Sequence, residues 1–408
     1  MSNRNSKVLV LGGSRTPIGS FGKSLRGFEA EELASESMAN AIRRAGVNPG
    51  QLEGVVLGHG YQSPYAPNTA RVAALAAGIP ASVPAKTIQR QCGSGMESVN
   101  EASEKILVGN ADLMLAGGAE SMSNVPYVYP GNMRWKGFIH NKFKQFQKVG
   151  FPIPHLFGML DSGLAPAKLR SDTRTIFMSK TAQRLADTYE ISREAADEYS
   201  LRSQTLAAEA IKSGRFALEV DPILVPGRKL FMNDEHPRAT SLEKLAGLKG
   251  VLGQRDITAG NSSGVNDGSC MLVLASDRKA EELGIDPLCE LVDWTCVGVD
   301  PDQMGLGPVA AINALLAKTG LALSDIDLFE INEAFAAQYL ACEKLLGLNR
   351  EIVNVNGGAI ALGHPIGMTG ARVILTLAHE LKLRGLKRGI ASLCIGGGMG
   401  IATLVQSV

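Results

Sequence analysis

The chain has 408 residues, of which 45% are hydrophobic and 20% are charged, and this composition is typical of a globular protein with two or three domains. A formal net charge of +1 gives no overall attraction to nucleic acid or to an anionic membrane, so an anion must be bound by a local arrangement of residues. We therefore expect no nucleic-acid partner.

Cysteine spacing and the first residues indicate the compartment. The six cysteines lie at positions 92, 270, 289, 296, 342 and 394. They form no Cys-x-x-Cys pair and no compact framework, so free thiols are expected rather than disulfides or a zinc site. The polar start from Met1 to Lys7 lacks an apolar signal segment, and no apolar run is long enough to span a bilayer. We expect a cytoplasmic protein, with an organelle matrix as the alternative.

The first 120 residues alternate between predicted strands and helices. Val8 to Leu11 is an apolar run that predicts a buried strand ending in a turn at Gly12-Gly13. The elements predicted next are a helix over 31–45, a strand over 55–57, a helix over 70–77, a strand from 85, a helix over 94–108 and a strand over 112–116 that runs into Gly117-Gly118. This alternation favours an α/β domain with a mainly parallel sheet covered on both faces. A dinucleotide-binding unit is the alternative, but the glycines lack its G-x-G-x-x-G spacing and Pro17 interrupts the helix.

The middle of the chain has a different composition. Prolines recur at 126, 130, 152, 154 and 166, and no strand pattern returns before Thr175, which predicts an excursion over the surface. Within it, the stretch 134–151 mixes basic and aromatic residues. Such a segment suits a partner subunit, a membrane surface or the phosphates of a ligand, and the alternative is a solvated loop whose aromatic residues pack on its own domain. Two predicted helices follow, over 178–189 and 193–213.

Alternation of strands and helices resumes in the second half. The small polar segment 258–264 suits backbone contact with a ligand, and 270–275 is apolar enough to enter a core. Strands are predicted over 290–297, 327–331, 351–355 and 389–394, and helices over 308–319, 335–346 and 369–383. Both halves place a glycine-rich turn between a strand and a helix, around Cys92 and around His364. Because corresponding turns of a duplicated α/β unit lie at a shared face, we expect Cys92 and His364 to meet.

A predicted nucleophile lies in the first of these turns. Cys92 follows a strand and precedes Gly93-Ser94-Gly95 at the start of a helix. Unpaired N–H groups and the positive end of the helix dipole favour thiolate over thiol there. The glycines leave room for a carbonyl to approach both the sulfur and backbone donors, as an acyl-accepting nucleophile requires. The alternative is a small core residue beside a tight turn.

Three more polar groups lie at similar junctions. His364 can take a proton from a nearby thiol, Cys394 offers a second thiol before three glycines, and the amide of Asn332 is fit to orient a water or an oxyanion. Taken singly, each has a plain structural alternative: a turn residue for His364, a core residue for Cys394 and a helix cap for Asn332.

Together these motifs resemble those of one enzyme family. The runs Cys92-Gly-Ser-Gly, Asn332-Glu-Ala-Phe, Gly363-His364-Pro and Cys394-Ile-Gly-Gly-Gly, in this order, make the chain similar to thiolases along nearly its whole length, above all from about 291 to 402. Thiolases are acyltransferases that pass an acyl group through a cysteine thioester to coenzyme A, or condense two acetyl groups in the reverse direction. No metal or redox cofactor is implied, since coenzyme A is a substrate.

The resemblance implies a role for each motif. Cys92 is expected to be the acylated nucleophile, His364 the base that activates it, and Cys394 the group that moves the proton of the α-carbon. Asn332, through a water, and His364 are expected to form one oxyanion hole, and the N–H groups of Cys92 and Gly396 the other.

The resemblance also implies the contacts to coenzyme A. Ser263 is expected to touch the pantetheine arm, and Arg238 to lie near the nucleotide phosphates, where a guanidinium suits the charge. Met178, Met304 and Phe335 are expected to line the acyl or pantetheine pocket. The alternative for Arg238 is a solvated surface charge.

The implied fold is α/β, with two similar halves in α/β/α/β/α layers and an inserted loop domain. The expected boundaries are 1–120 with about 266–287 for the N-terminal half, 121–265 for the inserted domain and 288–408 for the C-terminal half. A homodimer or homotetramer is implied as well, with stretch 134–151 as a contact to a β-oxidation partner subunit or a membrane surface.

The substrate length is left open by conflicting signals. Phe177 replaces a histidine and Leu252 an aromatic residue of short-chain thiolases, and the long loop resembles that of thiolases in the β-oxidation complex, whereas Asn332-Glu333 is the short-chain form. The sequence favours a 3-ketoacyl-CoA thiolase over an acetoacetyl-CoA thiolase that condenses two acetyl-CoA molecules. A non-catalytic lipid-carrier or scaffold relative and a cysteine hydrolase are alternatives of other classes.

Overall fold

A mixed sheet of ten strands runs through both halves of the chain in the computed structural model, which describes residues 6–126 and 178–408 except Pro226 and Arg228. The strands are β1 (Val8–Arg15), β2 (Gly19–Ser20), β3 (Gly54–Gly58), β4 (Ala85–Ile88), β5 (Leu113–Ser121), β6 (Ile223–Val225), β7 (Lys229–Phe231), β8 (Asn266–Ser276), β9 (Cys289–Gly298), β10 (Leu328–Ile331), β11 (Arg388–Ile395) and β12 (Met399–Gln406). Their order is β10-β11-β12-β9-β1-β8-β5-β3-β4, with β2 beside β8, while β6 and β7 pair only with each other. A ladder of three residue pairs between β1 and β9 joins the two halves.

The described helices lie between these strands. They are α1 (Ala30–Ala45), α2 (Thr69–Ala76), α3 (Ser94–Leu107), α4 (Met178–Thr188), α5 (Arg193–Lys212), α6 (Leu242–Ala246), α7 (Asp277–Leu283), α8 (Gly307–Thr319), α9 (Ala336–Leu346), α10 (Ala359–Leu362) and α11 (Ile366–Arg384). None of the helices in the described ranges combines the length and the apolar composition that crossing a bilayer requires.

Three apolar clusters show how the layers are stacked. In β1, Val8 and Val10 face a central cluster with α3 and α11, whereas Leu9 and Leu11 face an outer cluster with α1 and α2. This division follows from the alternation of side chains along a strand. Strands β11 and β12 also contribute to the central cluster, and their opposite faces pack on α8 and α9 in a third cluster. The layers are therefore helix, sheet, helix, sheet, helix, which confirms the expected fold class.

Helices α3 and α11 form the middle layer and cross at glycines. A Cβ added at Gly95 would lie 2.6 Å from the carbonyl oxygen of Gly367, and one added at Gly370 would lie 2.2 Å from the amide nitrogen of Met96. Only glycine allows backbones to approach this closely. Since Cys92 and His364 each lie three residues before one of these contacts, the crossing draws their two turns together.

The prediction of a mainly parallel sheet is wrong. Parallel ladders join β3 to β4 and β5, and β10 to β11, but the remaining ladders of the ten-stranded sheet are antiparallel. The glycine pairs Gly12-Gly13 and Gly117-Gly118 lie inside strands rather than in turns. The predicted strand over 351–355 is a short 3-10 helix with one bridge from Val353 to Phe329.

Several sequence predictions lie outside the described residues. These are the long excursion over 133–175 with its basic aromatic stretch 134–151, and the substitution at Phe177. Helices α4 and α5 follow this segment where the sequence predicts them, ending within one residue of the expected positions.

Candidate active site

Cys92 lies in a tight turn between β4 and α3. The N–H groups of Gly93 and Ser94 donate to the carbonyls of Arg90 and Gln91, at 2.9 and 3.0 Å. The Ser94 hydroxyl closes the turn, since it donates to the Gln91 carbonyl at 2.7 Å and accepts from the Arg90 N–H at 2.8 Å. Gln91 has a φ of 45°, a conformation that costs energy for a residue with a side chain. The turn is therefore held by side-chain bonds that fix the cysteine just before the helix.

The thiol of Cys92 is protonated at neutral pH. Burial raises its pKa to about 11, although N–H groups of Gly396 and of Cys92 itself bond to the sulfur and lower the pKa. The negative charge of Glu120 adds to the rise. The expectation of a thiolate at the helix start is therefore wrong, because desolvation outweighs the N–H groups. Ionisation of this cysteine requires a base.

His364 is a neutral imidazole whose tautomer is set by its neighbours. The Thr369 hydroxyl donates to the Pro365 carbonyl at 2.8 Å, so its lone pair accepts the Nδ1–H of His364 at 2.7 Å. Nε2 is then the unprotonated nitrogen. Burial, with a further contribution from the positive charge of Arg372, lowers the pKa of His364 to about 4. The side-chain oxygen of Asn266 accepts the backbone N–H of His364 at 3.0 Å and fixes the turn.

Asn332 directs its amide at the free nitrogen of this histidine. Its Nδ2 lies 3.4 Å from His364 Nε2, and its backbone N–H donates to Ser392 at 2.9 Å. Asn332 is fully buried, and its Oδ1 has no hydrogen-bond partner among the atoms of the described residues. A buried polar atom without a partner is costly, so this oxygen faces the place where a polar group of a ligand or a water is expected.

Cys394 forms the apolar side of the same crevice. It belongs to a small buried cluster with Met304 and Ala334, against which Met178 and Phe335 pack. Burial raises its pKa well above the ordinary value, and the neighbouring thiols of Cys92 and Cys342 raise it further. This cysteine is therefore a neutral thiol that can donate a proton.

The structure brings most of the predicted site residues together. Cys92, Cys394 and Gly396 are linked by their electrostatic and hydrogen-bond contacts, and Gly93 is packed against Ile395. Asn332 joins His364 to this group because β10 pairs with β11, which carries Cys394. The methionines and Phe335 line the crevice beside Cys394, as described above.

The two predicted coenzyme A contacts lie further out. The backbone N–H of Ser263 donates to Ala334 at 2.9 Å, which places Ser263 beside the apolar cluster. Arg238 is exposed, and its Nη2 donates to the carbonyl of Ala259 at 2.9 Å. It also lines a cleft of about 520 Å³ against α5. Arg238 therefore lies at the outer side of the 258–264 segment and away from the reacting groups.

Sequence reasoning missed the groups that hold the site in place. Glu333 is fully buried and accepts from the Tyr199 hydroxyl and the Ser203 hydroxyl, both at 2.7 Å, and from the N–H of Ile360 at 3.1 Å. It thereby fixes the position of its neighbour Asn332 and of the segment before His364. The sequence offered one signal for this role of Glu333, which is a charged residue inside an apolar stretch directly after Asn332.

Family comparisons agree with this site. The chain matches the model of the thiolase N-terminal domain over residues 8–278 and that of the thiolase C-terminal domain over residues 285–407. It is 42% identical over 408 aligned residues to an acetyl-CoA acetyltransferase of Syntrophomonas wolfei, covering 98% of this chain and 99% of the relative. These matches define an acyltransferase enzyme.

Solved structures of related enzymes also match the fold of this chain. The crystal structure of the Bacillus anthracis acetyl-CoA acetyltransferase superposes with a TM-score of 0.91 at 45% identity over 100% of both chains. The human mitochondrial 3-ketoacyl-CoA thiolase in complex with CoA gives a TM-score of 0.88 at 38% identity, covering 99% of this chain and 98% of that one. The chain belongs to the thiolase family.

Proposed function

We propose that the protein cleaves 3-ketoacyl-CoA with coenzyme A, through a thioester on Cys92, to give acetyl-CoA and a shortened acyl-CoA. The observation that carries this proposal is the pairing of an unprotonated His364 Nε2 with the amide of Asn332, in the crevice that holds two neutral thiols. A carbon–carbon cleavage between thioesters needs a covalent nucleophile, its base and a separate proton donor. These residues supply all three.

In the first half-reaction, His364 Nε2 takes the proton of Cys92 as the sulfur attacks the keto carbon. The C2–C3 bond then breaks, and its electron pair goes to C2 as the enolate of acetyl-CoA. Cys394 gives its proton to C2, and acetyl-CoA leaves. Asn332 and His364 lie where an enolate oxygen would be stabilised, and the N–H groups of Cys92 and Gly396 where the tetrahedral oxyanion would be.

In the second half-reaction, the thiol of coenzyme A attacks the acyl group on Cys92. Its proton passes to Cys394, whose thiolate is left after the first half-reaction. The thioester bond to Cys92 breaks, and the Cys92 sulfur recovers its proton from His364. Every group thus returns to its starting protonation state.

The reverse reaction is a second candidate, in which two acetyl-CoA molecules condense to acetoacetyl-CoA. It is supported by the printed names of the Syntrophomonas and Bacillus relatives, both acetyl-CoA acetyltransferases. The residues and proton transfers are the same, run in the opposite order. The two candidates therefore differ in acyl length and direction and share one mechanism.

Other parts of the proposal concern the setting of the enzyme. Coenzyme A is proposed as the sole cosubstrate, with Ser263 and Arg238 as contacts to it. We further propose a homodimer or homotetramer in the cytoplasm, acting in fatty-acid β-oxidation, with stretch 134–151 as its contact to a partner subunit or a membrane. The division at 1–120 with 266–287, 121–265 and 288–408 is likewise proposed.

The test is acyl transfer itself. Incubation with radiolabelled acetyl-CoA is expected to label Cys92 in the wild type and not in Cys92→Ser, as located by peptide mapping. Thiolysis rates over a ladder of 3-ketoacyl-CoA lengths then separate a broad-range enzyme from an acetoacetyl-CoA enzyme. An unlabelled wild type would favour a non-catalytic relative, and label lost to water without thiolysis would favour a cysteine hydrolase.

A further inference from the structure

A buried carboxylate outside the reaction scheme joins three backbone segments at the base of the crevice. Glu120, near the end of β5, is fully buried. Its Oε2 accepts the N–H groups of Gly60 and Gly367, both at 2.9 Å, and its Oε1 accepts the N–H of Tyr61 at 3.1 Å. Two of these donors follow β3 in the first half, and the third lies in the first turn of α11, three residues after His364. One side chain therefore connects the catalytic turn of the second half to the first half.

His59 completes the surroundings of this carboxylate. Its Nε2 lies 3.2 Å from Glu120 Oε1, and both side chains are at most 2% exposed. The Thr69 hydroxyl lies 2.9 Å from Nδ1 of His59 and 3.1 Å from the Ala66 carbonyl oxygen. The tautomer of His59 with its proton on Nε2 donates to Glu120 Oε1 and accepts from the Thr69 hydroxyl at Nδ1, so His59 adds a fourth hydrogen bond to the carboxylate.

The backbone around Glu120 leaves no room for adjustment. A Cβ at Gly60 would lie 2.7 Å from Glu120 Oε2, and a Cβ at Gly367 would lie 2.2 Å from the carbonyl oxygen of Ala119. A Cβ at Gly118 would lie 1.8 Å from the carbonyl oxygen of Gly367. The first turn of α11 thus rests directly on β5, and the carboxylate is the polar bond across this contact.

The charge of Glu120 also reaches the nucleophile. Burial is the main cause of the raised pKa of Cys92, and the negative charge of Glu120 raises it further. The same charge adds to the pKa of Asp267, which burial raises to about 6. Burial and the charges of Glu31 and Glu32 raise the pKa of Glu29, and His59 lowers it.

We propose that Glu120, hydrogen-bonded to His59, is a positioning residue that fixes the turn of His364 against the first half and adds its negative charge to the surroundings of Cys92. This inference rests on the proposed function, because it assigns His364 as the base for Cys92. Glu120 touches neither reacting atom, so its effect passes through the Gly367 N–H and through its field.

Two variants separate the two effects. Glu120→Gln removes the charge but keeps an oxygen that can accept the Gly367 N–H, whereas Glu120→Asp keeps the charge but is too short to reach Gly367. Glu53→Gln is the matched control, since Glu53 accepts two backbone N–H groups at the opposite end of β5. The readouts are kcat and KM for coenzyme A in thiolysis, the rate of alkylation of Cys92 by iodoacetamide from pH 7 to 9, and Tm.

Alkylation of Cys92 is expected to respond to charge. Because the rate follows the thiolate fraction, Glu120→Gln should raise it at a given pH by about twofold or more, and Glu120→Asp should leave it within about twofold. Loosening of the turn alone would affect both variants alike, so equal shifts in the two would overturn the electrostatic part.

Turnover is expected to respond to position. Glu120→Asp should lower kcat by about tenfold to a hundredfold with KM for coenzyme A nearly unchanged, since a small displacement of a base costs that much. Glu120→Gln should lower kcat less, and Glu53→Gln should keep it. Normal kcat in Glu120→Asp with an active wild type would overturn the positioning role. An inactive, unlabelled wild type would instead overturn the proposed function, and the alkylation rates would remain interpretable in that case.

Discussion

Transfer of the proton from the Cys92 thiol to His364 is unfavourable before the substrate binds. Burial raises the pKa of Cys92 to about 11 and lowers that of His364 to about 4, so both groups are neutral before substrate binds. In the proposed mechanism, Cys92 gives up its proton as its bond to the substrate carbonyl forms. The charge on the oxyanion, stabilised by backbone N–H groups, favours the transfer at that moment.

The pH dependence of Cys92 acetylation follows from the lowered pKa of His364. Because the folded protein holds this imidazole neutral until the pH approaches about 4, the acetylation rate by acetyl-CoA should stay level down to about pH 5 and fall below it. Stopped-flow acetylation of the wild type checks this, with circular dichroism at each pH to exclude unfolding. An acidic limb centred near pH 6.5 would contradict the assignment of His364 as the buried base.

Removal of the second thiol should separate the two halves of the chemistry. Cys394→Ala is expected to keep transfer of the acetyl group between Cys92 and coenzyme A. That exchange breaks no carbon–carbon bond and leaves no thiolate on residue 394, so His364 alone can carry the proton between the Cys92 sulfur and the coenzyme A sulfur. Thiolysis and condensation should fall by about a hundredfold or more, because the proton donor to the α-carbon is lost. Isotope exchange and thiolysis rates measure the two activities.

Cys342→Ala is the matched control for that variant. Cys342 is equally buried near Cys394, but its sulfur bonds to the carbonyl of Gly305 and has no place in the reaction scheme. It should lower stability and leave the ratio of the two activities unchanged. Equal loss of exchange and thiolysis in Cys394→Ala would count against the role of Cys394.

At the scale of elements, the crossing of α3 and α11 sets the distance between the two catalytic turns. Gly95→Ala would add a methyl group 2.6 Å from the Gly367 carbonyl oxygen and 3.0 Å from the Ala371 amide nitrogen, so the helices must separate. We expect a loss of unfolding free energy of about 1–3 kcal/mol, and a larger proportional loss of thiolysis than of folded protein. Urea unfolding and kcat of the folded fraction provide the measurements.

Gly247→Ala is the control at this scale. It lies just after α6 with a helical φ of −72°, and an added Cβ would make ordinary contacts at 3.6 Å. This variant should match the wild type in both measurements. If Gly95→Ala did the same, the close approach of the two helices would have no bearing on activity.

Element prediction from sequence succeeded for helices and failed for glycines in strands. Apolar spacing and glycine stops located α1, α3, α8 and α11 to within about three residues. Gly117 was taken as a turn signal, but a Cβ there would lie 2.0 Å from the Cys270 carbonyl oxygen, so it is glycine because a neighbouring strand passes close by. Such a requirement comes from the partner strand and leaves no local sequence pattern.

At the scale of the whole molecule, the sequence predicted the motifs of the candidate site but not the hydrogen bonds that hold them in place. Cys92, Asn332, His364 and Cys394 could be named because each lies in a distinctive local run. The residues that hold these four in place could not be named from the sequence. Asn266 accepts a hydrogen bond from a turn 98 residues away, and Glu120 accepts one from a turn 247 residues away. Hydrogen bonds over such separations depend on the packed fold, so a single sequence gives no sign of them.

A buried carboxyl within the C-terminal half predicts how global stability changes with pH. Glu330 in β10 lies 3.2 Å from Arg372 in α11, and burial raises its pKa to about 8 although Arg372 lowers it. The folded protein thus keeps a proton that the unfolded chain loses near pH 4.5. This contribution to stability is complete below about pH 4.5 and is lost as the pH rises to about 8.

Glu330→Gln tests that linkage, since glutamine has no proton to lose. The unfolding free energy of the wild type relative to the variant should fall between pH 5 and 8, by at most about 1.4 kcal/mol per pH unit. Urea unfolding of the wild type and of Glu330→Gln at several pH values measures it. A flat or rising difference for Glu330→Gln would contradict the raised pKa.

The shared middle layer has a consequence for synthesis on the ribosome. Helix α3 emerges early, but α11, which covers its other side, follows about 260 residues later. At roughly 5–20 residues per second, the apolar surface of the nascent first half stays uncovered for tens of seconds. The apolar surface of α3 is therefore exposed to aggregation during translation until residues 366–384 have been synthesised.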